Sequence, residues 1–369
     1  MEKKKITWME EEFHDLDRDD TYAVDRSNMY SWLEKIDKIL SSSLSRFLGK
    51  IDTVASINHE IREVLVCGMG GSAIAGDVAW LAVQDMLPVP YRVIKGYSAP
   101  ASLGPGSLQI VVSYSGNTEE SIWAYTQGHN RGADVVAITS GGALAELASH
   151  AGRPCVLVPP DCPAPRLALG YLLTAVLAVL DRAFDEIHGL EETVEEAVVS
   201  LKHGIRKYEK GLGLQKNIAK RLAADIHGAY PVIIGSDLTW PAALRFQTQL
   251  NENSKWPCHA TRLPEMNHNE IVAYSNPGPA ASRTGIVMLR DKDDHPRVQL
   301  RQDFTVDMIE NTVAWVRQLK GEGKNAFARV CNLLQAADFT SYYLACGRGI
   351  DPMDIAAISI LKEHLGKVK

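Results

Sequence analysis

The stretch Gln109-Ile110-Val111-Val112-Ser113-Tyr114-Ser115-Gly116-Asn117-Thr118-Glu119-Glu120 decides how the chain is read. An apolar run ends in a turn that offers three aliphatic hydroxyls and a glycine within six residues. Such a loop can wrap a phosphate with hydroxyl and backbone N–H donors and needs no fixed positive charge. Earlier in the chain, Val64-Leu65-Val66-Cys67 runs into Gly68-Met69-Gly70-Gly71-Ser72. Its glycines let amide groups approach an anion at the positive end of the following helix. One such loop is ordinary turn chemistry, but two at successive strand ends point to a phosphate-sized ligand.

Outward from these loops the chain alternates strand and helix. Val64 to Cys67, Tyr91 to Ile94, Gln109 to Ser113, Asp134 to Thr139 and Cys155 to Val158 are short β-branched runs separated by helical stretches. That rhythm predicts right-handed crossovers and a parallel sheet covered by helices on both faces. A second set begins at Pro231 to Gly235 and continues at Gly285 to Leu289, and Val232-Ile233-Ile234-Gly235-Ser236 echoes Val64 to Gly68. The expected fold class is therefore α/β, with two doubly wound domains of mainly parallel sheets flanked by helices. Residues 1–55 read as a charged N-terminal helical arm, with apolar positions at helical spacing from Met29 to Ile39 and a break at Ser41-Ser42-Ser43. Residues 56–214 read as the first domain with a helical linker, and 215–369 as the second with C-terminal helices over Asn325 to Leu344 and Asp354 to Leu365.

Composition sets the outer bounds. With 369 residues the chain is long enough for two or three domains of about 150 residues each. Its 39 basic and 45 acidic residues give a net charge of -6, which argues against nucleic acid held by phosphate neutralisation. The longest apolar run, Leu167 to Leu180, is too short to span a bilayer and reads as a buried helix, so no membrane partner is expected. Lys3 to Lys5 lead directly into Trp8-Met9-Glu10-Glu11-Glu12, without the apolar core of a secretory signal. Six widely separated cysteines without a Cys-x-x-Cys pair read as reduced thiols, and the expected location is cytoplasmic.

Gly68-x-Gly70-x-x-Ala73 satisfies a degenerate dinucleotide fingerprint, but the next strand, Tyr91 to Gly96, has no carboxylate for a ribose. A dehydrogenase is demoted on that ground and no cofactor is expected. Gly321-Glu322-Gly323-Lys324 lacks the spacing and the hydroxyl of a nucleotide loop and reads as a surface turn. Ionisable chemistry lies in the second half. Glu252, between Asn251 and Asn253 at the end of an amphipathic helix, could be oriented by the amides while staying basic. Pro264-Glu265-Met266-Asn267-His268-Asn269-Glu270 places carboxylates and a proton-shuttling histidine in a non-helical stretch. His259, Glu265 and His268 lack metal-ligand spacing, so no metal is expected.

At these residues the chain resembles the bifunctional phosphoglucose/phosphomannose isomerases, two-domain members of the sugar isomerase (SIS) superfamily. The resemblance is carried by Gly68 to Ala73, Ser113 to Glu120, Asn251-Glu252-Asn253 and Pro264 to Asn269, supported by Pro165-Arg166 and by Ser341-Tyr342-Tyr343-Leu344 through Lys362. The Ser-x-Ser-Gly-Asn-Thr loop marks the superfamily; the Asn-Glu-Asn and Pro-Glu-x-x-His-Asn pair marks the family.

The resemblance implies that each domain is of SIS type and that Ser72, Ser113, Ser115 and Thr118 hold a sugar phosphate, with Gly70 and Gly71 keeping the loop close. Glu252 would move a proton between C2 and C1 through a cis-enediol, and His268 would open the sugar ring, reaching the site from a neighbouring subunit of a homodimer. Arg166 would stabilise the enediolate, and Lys362 would contact substrate or assist ring opening. The implied substrate is a hexose 6-phosphate, glucose 6-phosphate and also mannose 6-phosphate, interconverted with fructose 6-phosphate. Two other readings share the phosphate loops: a non-catalytic sugar-phosphate sensor, and an SIS enzyme acting on amino-sugar phosphates. The first 55 residues have no counterpart in the resemblance.

Overall fold

A computed structural model describes residues 12–51 and 60–367. The Lys3–Glu11 stretch and residues 52–55 of the N-terminal arm lie outside the described residues. The chain gathers into two compact units. One comprises residues 35–202 and 322–331, the other 1–34, 203–321 and 332–369.

N-terminal to the first sheet, α1 covers Met29–Leu33 and α2 covers Ile36–Phe47. The helical spacing read over Met29 to Ile39 is therefore divided at Glu34-Lys35, and the serine run that was expected to stop the helix lies inside α2. Serine costs a helix little when its hydroxyl returns to the backbone. Ser42 Oγ donates to the Ile39 carbonyl at 3.1 Å and Ser45 Oγ to that of Ser41 at 3.2 Å.

The unit of residues 35–202 is built on a five-stranded sheet in the order β2-β1-β3-β4-β5, with every pairing parallel. Its elements in sequence are β1 (Glu63–Cys67), α3 (Gly70–Val83), β2 (Tyr91–Ile94), β3 (Ser107–Val112), α4 (Glu119–Asn130), β4 (Asp134–Thr139), α5 (Gly142–His150) and β5 (Cys155–Leu157). Strands β1, β3 and β4 are buried along their whole length, as near-continuous apolar runs in parallel sheets must be when both faces are covered. The apolar run predicted as a buried helix forms α6 (Leu169–Ala183), which buries every residue from Leu169 to Leu180 and packs on α2 and α3. It is followed by α7 (Leu190–Tyr208).

The other unit holds α8 (Ile218–Ile226), β6 (Tyr230–Gly235), α9 (Trp240–Ser254), β7 (His259–Arg262), α10 (Ile271–Ser275), β8 (Thr284–Arg290), α11 (Pro296–Ile309) and β9 (Trp315–Lys320). The chain ends in α12 (Ala326–Gly347) and α13 (Ala356–Leu365). Its sheet runs β7-β6-β8-β9, again all parallel, so β6 and β8 take the central places that β1 and β3 take in the first sheet. Val232, Ile234, Ile286 and Met288 form its core with Leu263, Met266 and Ile309. Strands β7 and β9 are edge strands of mixed polarity and gave no β-branched run to read. Gly321 to Lys324 is the expected turn, with Lys324 exposed and its ammonium 2.8 Å from Glu196.

Residues 15–34 are bound into this second unit although they come first in the chain. The fully buried Lys220 donates to the carbonyls of Leu16 at 2.7 Å and Lys210 at 2.9 Å and to Asp17 Oδ1 at 3.1 Å. Its ammonium lies 5.8 Å and 5.7 Å from the ring centres of Tyr22 and Tyr343, a cation–π box that offsets part of the cost of burial.

At the amino end of the first sheet, Glu63 ties three strands together. Its carboxylate accepts from Arg92 at 2.6 Å, Ser107 Oγ at 2.8 Å and Ser102 Oγ at 3.1 Å. Burial works to raise the Glu63 carboxyl, but the bonds from Arg92, Ser107 and Ser102 outweigh it and leave it below the usual carboxylate range. A lowered folded pKa adds stability that is present above the unfolded value and disappears as pH falls through the folded one. Glu63→Gln is therefore expected to cost about 1–3 kcal/mol at pH 7. The gap from the parent should narrow as pH falls below about 4. Urea unfolding at the two pH values measures it, and a gap that is constant or widens on acidification contradicts the assignment.

Candidate active site

The carboxyl end of the first sheet gathers the predicted phosphate loops. Strand β3 ends at Val112, and the turn that follows is shaped by Gly116, whose φ of +69° lies in the left-handed region. A methyl group at Gly116 would collide with the carbonyl oxygen of Gly141, so only glycine fits there. Leu144 N–H donates to the Gly116 carbonyl at 2.9 Å, and Ala143 N–H to Asn117 Oδ1 at 3.0 Å. The loop after β4 thus braces the loop after β3 by backbone contact.

Ser113, fully buried, donates from Oγ to Thr118 Oγ1 at 3.1 Å. Thr118 is the N-cap of α4, but its side chain makes no capping bond to the helix. Ser115 is exposed, and its Oγ accepts from Asn117 N–H at 3.3 Å. The hydroxyls of Ser113 and Thr118 therefore sit as a pair at the positive end of α4, where an anion is favoured. Glu119 and Glu120 occupy the first turn of the same helix.

Gly70, Gly71 and Ser72 open α3 in the same unit, and Ser72 is buried. Gly71 packs backbone to backbone on Arg166: a side chain there would come within 3.2 Å of the Arg166 Cα and 3.3 Å of the Pro165 carbonyl oxygen. Arg166 lies in a single 3-10 turn, Pro165–Leu167, and is 3% exposed. The backbone of Arg166 is thereby held against the glycine loop by close packing. Tyr114 was not singled out in the sequence, yet its hydroxyl donates to the Pro159 carbonyl at 2.9 Å and accepts from Cys162 N–H at 2.8 Å. It ties the β3 loop to the segment leading into Arg166. Burial pushes the Tyr114 hydroxyl up to about 12, so it stays neutral and can serve both bonds at physiological pH.

In the other unit, Glu252 is half-buried on the last turn of α9. The end of that helix is fastened on several sides. Lys255, at φ +52°, caps it and donates from Nζ to the carbonyls of Asn253 at 3.0 Å and Asp351 at 2.8 Å. Trp256 Nε1 donates to the Ala229 carbonyl at 2.9 Å. The two amides flanking Glu252 differ in their surroundings: Asn251 is exposed, whereas Asn253 is fully buried and donates to Ser341 Oγ at 2.9 Å.

His268 closes a 3-10 turn, Glu265–His268, where a non-helical stretch was expected. Met266 is its buried anchor. Asn267 Nδ2 donates to Thr305 Oγ1 at 2.9 Å, and Arg301 donates to Asn267 Oδ1 at 3.3 Å, so the turn is tied to α11. Glu270 fixes its far end by accepting from Thr261 Oγ1 at 2.6 Å and Tyr274 OH at 3.1 Å, with His259 Nε2 3.0 Å away. His259 is thus engaged by Glu270, and among the described residues no three His, Cys, Asp or Glu side chains are grouped to hold a metal. His268 is exposed, and Lys362 lies on α13, whose residues are all exposed. Among the described residues no helix is long and apolar enough to cross a membrane.

Comparison with known proteins adds to this geometry. Residues 59–181 match the SIS domain model, and residues 215–365 match that of the bacterial phospho-glucose isomerase C-terminal SIS domain. A bifunctional phosphoglucose/phosphomannose isomerase of Caldicellulosiruptor bescii is 35% identical over 93% of this chain and 99% of its own length. A D-glucosamine-6-phosphate 4-epimerase of Sulfolobus acidocaldarius is 30% identical over 68% of this chain and 73% of its own. Among solved structures, the C-terminal domain of glucosamine-fructose-6-phosphate aminotransferase from Francisella tularensis superposes with a TM-score of 0.70 at 15% identity, covering 88% of this chain and 97% of that one, and shares the fold.

The close approach at Gly116 yields a direct test. Gly116→Ala is expected to destabilise the protein by about 2–4 kcal/mol, because both the positive φ and the contact with Gly141 oppose a side chain. Urea denaturation that leaves the variant within about 0.5 kcal/mol of the parent would show that the two loops do not need each other.

Proposed function

The chain belongs to the bifunctional phosphoglucose/phosphomannose isomerase family, and from that premise we propose that it is an aldose-ketose isomerase interconverting glucose 6-phosphate and mannose 6-phosphate with fructose 6-phosphate. The observation that carries the reading is the family's Asn-Glu-Asn and Pro-Glu-x-x-His-Asn pair, with Glu252 on a fastened helix end and His268 on a turn tied to α11. The two aldoses differ only at C2, which becomes planar in a cis-enediol. One base that removes and returns a proton at C1 and C2 therefore serves both.

In this reading Ser72, Ser113, Ser115 and Thr118 hold the 6-phosphate, with Gly70 and Gly71 letting the backbone come close. The hydrogen-bonded hydroxyl pair of buried Ser113 and part-buried Thr118 at the start of α4 supports that assignment. Glu252 takes the proton and Arg166, held against Gly71, offsets the negative charge that develops on the enediolate. His268 opens the ring and Lys362 contacts the substrate or assists that step. The functional division follows the same lines: an N-terminal arm over 1–55, a first SIS domain over 56–214 and a second over 215–369, supported by the matches at 59–181 and 215–365. A cytoplasmic location is part of the reading and is supported by six free cysteines.

The partner in this reading is a second copy of the chain, with His268 serving the neighbouring subunit. Its support is an apolar surface beside the His268 turn. Leu300, Phe304 and Met308 form a stripe along α11 at 45%, 63% and 54% exposure, and Val272 on α10 is 60% exposed. Contiguous apolar surface of this kind marks an interface. Phe304→Glu is expected to shift the protein to monomer by light scattering and to remove turnover together with the dimer. A dimer that persists in this variant would place the interface elsewhere.

The central test follows fructose 6-phosphate separately to glucose 6-phosphate and to mannose 6-phosphate. Glu252→Gln keeps shape but loses the basic lone pair, so turnover to both products should disappear while sugar-phosphate binding remains. Near-parent turnover in that variant would remove Glu252 from the role of base. Replacing Ser113 and Thr118 by Ala should mainly raise KM, and an unchanged KM would move the phosphate elsewhere. The epimerase relative favours a second substrate class, amino-sugar phosphates, for which conversion of glucosamine 6-phosphate is the parallel assay.

A further inference from the structure

One face of α9 carries polar groups where a buried helix face ordinarily carries apolar ones. Arg245, Gln249 and Asn253 follow one another at four-residue spacing and are 2%, 1% and 0% exposed. Each meets a partner on α12. Arg245 donates from Nε to Asp338 Oδ1 and from Nη2 to Asp338 Oδ2, both at 2.8 Å, and Gln249 Nε2 donates to Asp338 Oδ1 at 2.8 Å. Asn253 Nδ2 donates to Ser341 Oγ at 2.9 Å, and Ser341 Oγ donates in turn to the Asp338 carbonyl at 2.9 Å. Three successive turns of α9 are thereby fixed to one turn of α12 by directional bonds.

Such a seam defines register in a way that apolar packing does not. Leucine side chains tolerate a small slide or rotation of the helix, but here either motion would strand a buried guanidinium, carboxylate or amide without its partner. Glu252 stands seven residues after Arg245, which brings it back to nearly the same helix face two turns on, and immediately before Asn253. The last bond of the seam is therefore made by the residue that follows Glu252 in the chain. A base that must serve two adjacent carbons needs its position held more tightly than its affinity for substrate requires.

We propose that Arg245, Gln249 and Asn253 of α9, with Asp338 and Ser341 of α12, form a positioning clamp that sets where the Glu252 carboxylate stands during proton transfer. The clamp rests on the reading of Glu252 as the base, and its members act through Glu252 without touching substrate.

Ser341→Ala and Asn253→Ala cut the terminal bond from its two sides. Each is expected to lower kcat between about 10-fold and 100-fold with KM within about twofold, since geometry is disturbed while substrate contacts remain. The double variant should be no slower than the slower single one, because both remove the same bond. Ser341→Thr keeps the hydroxyl and should return most of the rate. Asn253→Ala stands in if Ser341→Ala does not fold, and thermal melting shows which variants are folded. A folded single variant with kcat within about twofold of the parent, or losses that add in the double variant, would overturn the clamp. Glu252→Gln separates the two ideas: if it turns over normally the base reading fails, whereas an inactive Glu252→Gln beside an unaffected Ser341→Ala removes the clamp alone.

Discussion

The carbonyl oxygen of Gly141 stands where any residue other than glycine at position 116 would place its side chain, and the loops after β3 and β4 are fitted to one another at that contact. Because the loop after β3 and the loop after β4 touch through their backbones, the amides and hydroxyls from Ser113 to Thr118 are held without a bulky side chain between them. Tyr114 extends the same constraint to the segment leading into Arg166, and Gly71 repeats it from the start of α3. The loop from Ser113 to Thr118 itself carries no charged side chain. It suits a doubly charged ligand that must leave again after each turnover, since hydroxyl and amide donors bind a phosphate without the depth of a lysine or arginine cluster.

The second sheet shows what the same topology does without that constraint. Strands β6 and β8 correspond in order to β1 and β3, yet the loop after β8 reads Asp291-Lys292-Asp293-Asp294 where the loop after β3 reads Ser113 to Thr118. Asp294 is buried and accepts from Gln302 Nε2 at 3.0 Å and from Asp291 N–H at 3.2 Å. Burial is the main influence on the Asp294 carboxyl and raises it. The protein's own carboxylate thus takes donors of the kind a phosphate would need.

How far the sequence could be read follows from which features are local. Fully buried strands declare themselves by apolar runs, so β1, β3, β4, β6 and β8 were legible, and so were the two glycine loops that follow β1 and β3. The edge strands β2 and β5 were read as well, from Tyr91 to Ile94 and Cys155 to Val158, whereas β7 and β9 were not, because His259–Arg262 and Trp315–Lys320 are of mixed polarity and carry no apolar run to recognise. Ser41 to Ser43 misled because helix propensity is a weak local term that the packing of α2 on α6 overrides. Glu252 and His268 were found through their neighbours in sequence. Tyr114, Glu270 and the Arg245–Asp338 pair were not, since each acts through a partner dozens of residues away or, for Glu270, through a turn whose closure no spacing announces.

The two kinds of ionisable group in the second unit differ in what holds them. Glu252 stands on a helix whose polar face is matched bond for bond by α12, so its position is fixed within one chain. His268 and Lys362 are exposed, and so are the apolar side chains Val272 of α10 and Leu300, Phe304 and Met308 of α11. An imidazole in open water has little catalytic leverage, because bulk solvent exchanges protons as readily as the side chain does and screens its charge. Covering that apolar stripe with a second copy would remove water from around His268 and bring it into a desolvated setting. On the proposed assignment the base would be prepared by folding, whereas the ring-opening group would become effective on association. On that reading the constellation would stay incomplete until two copies meet.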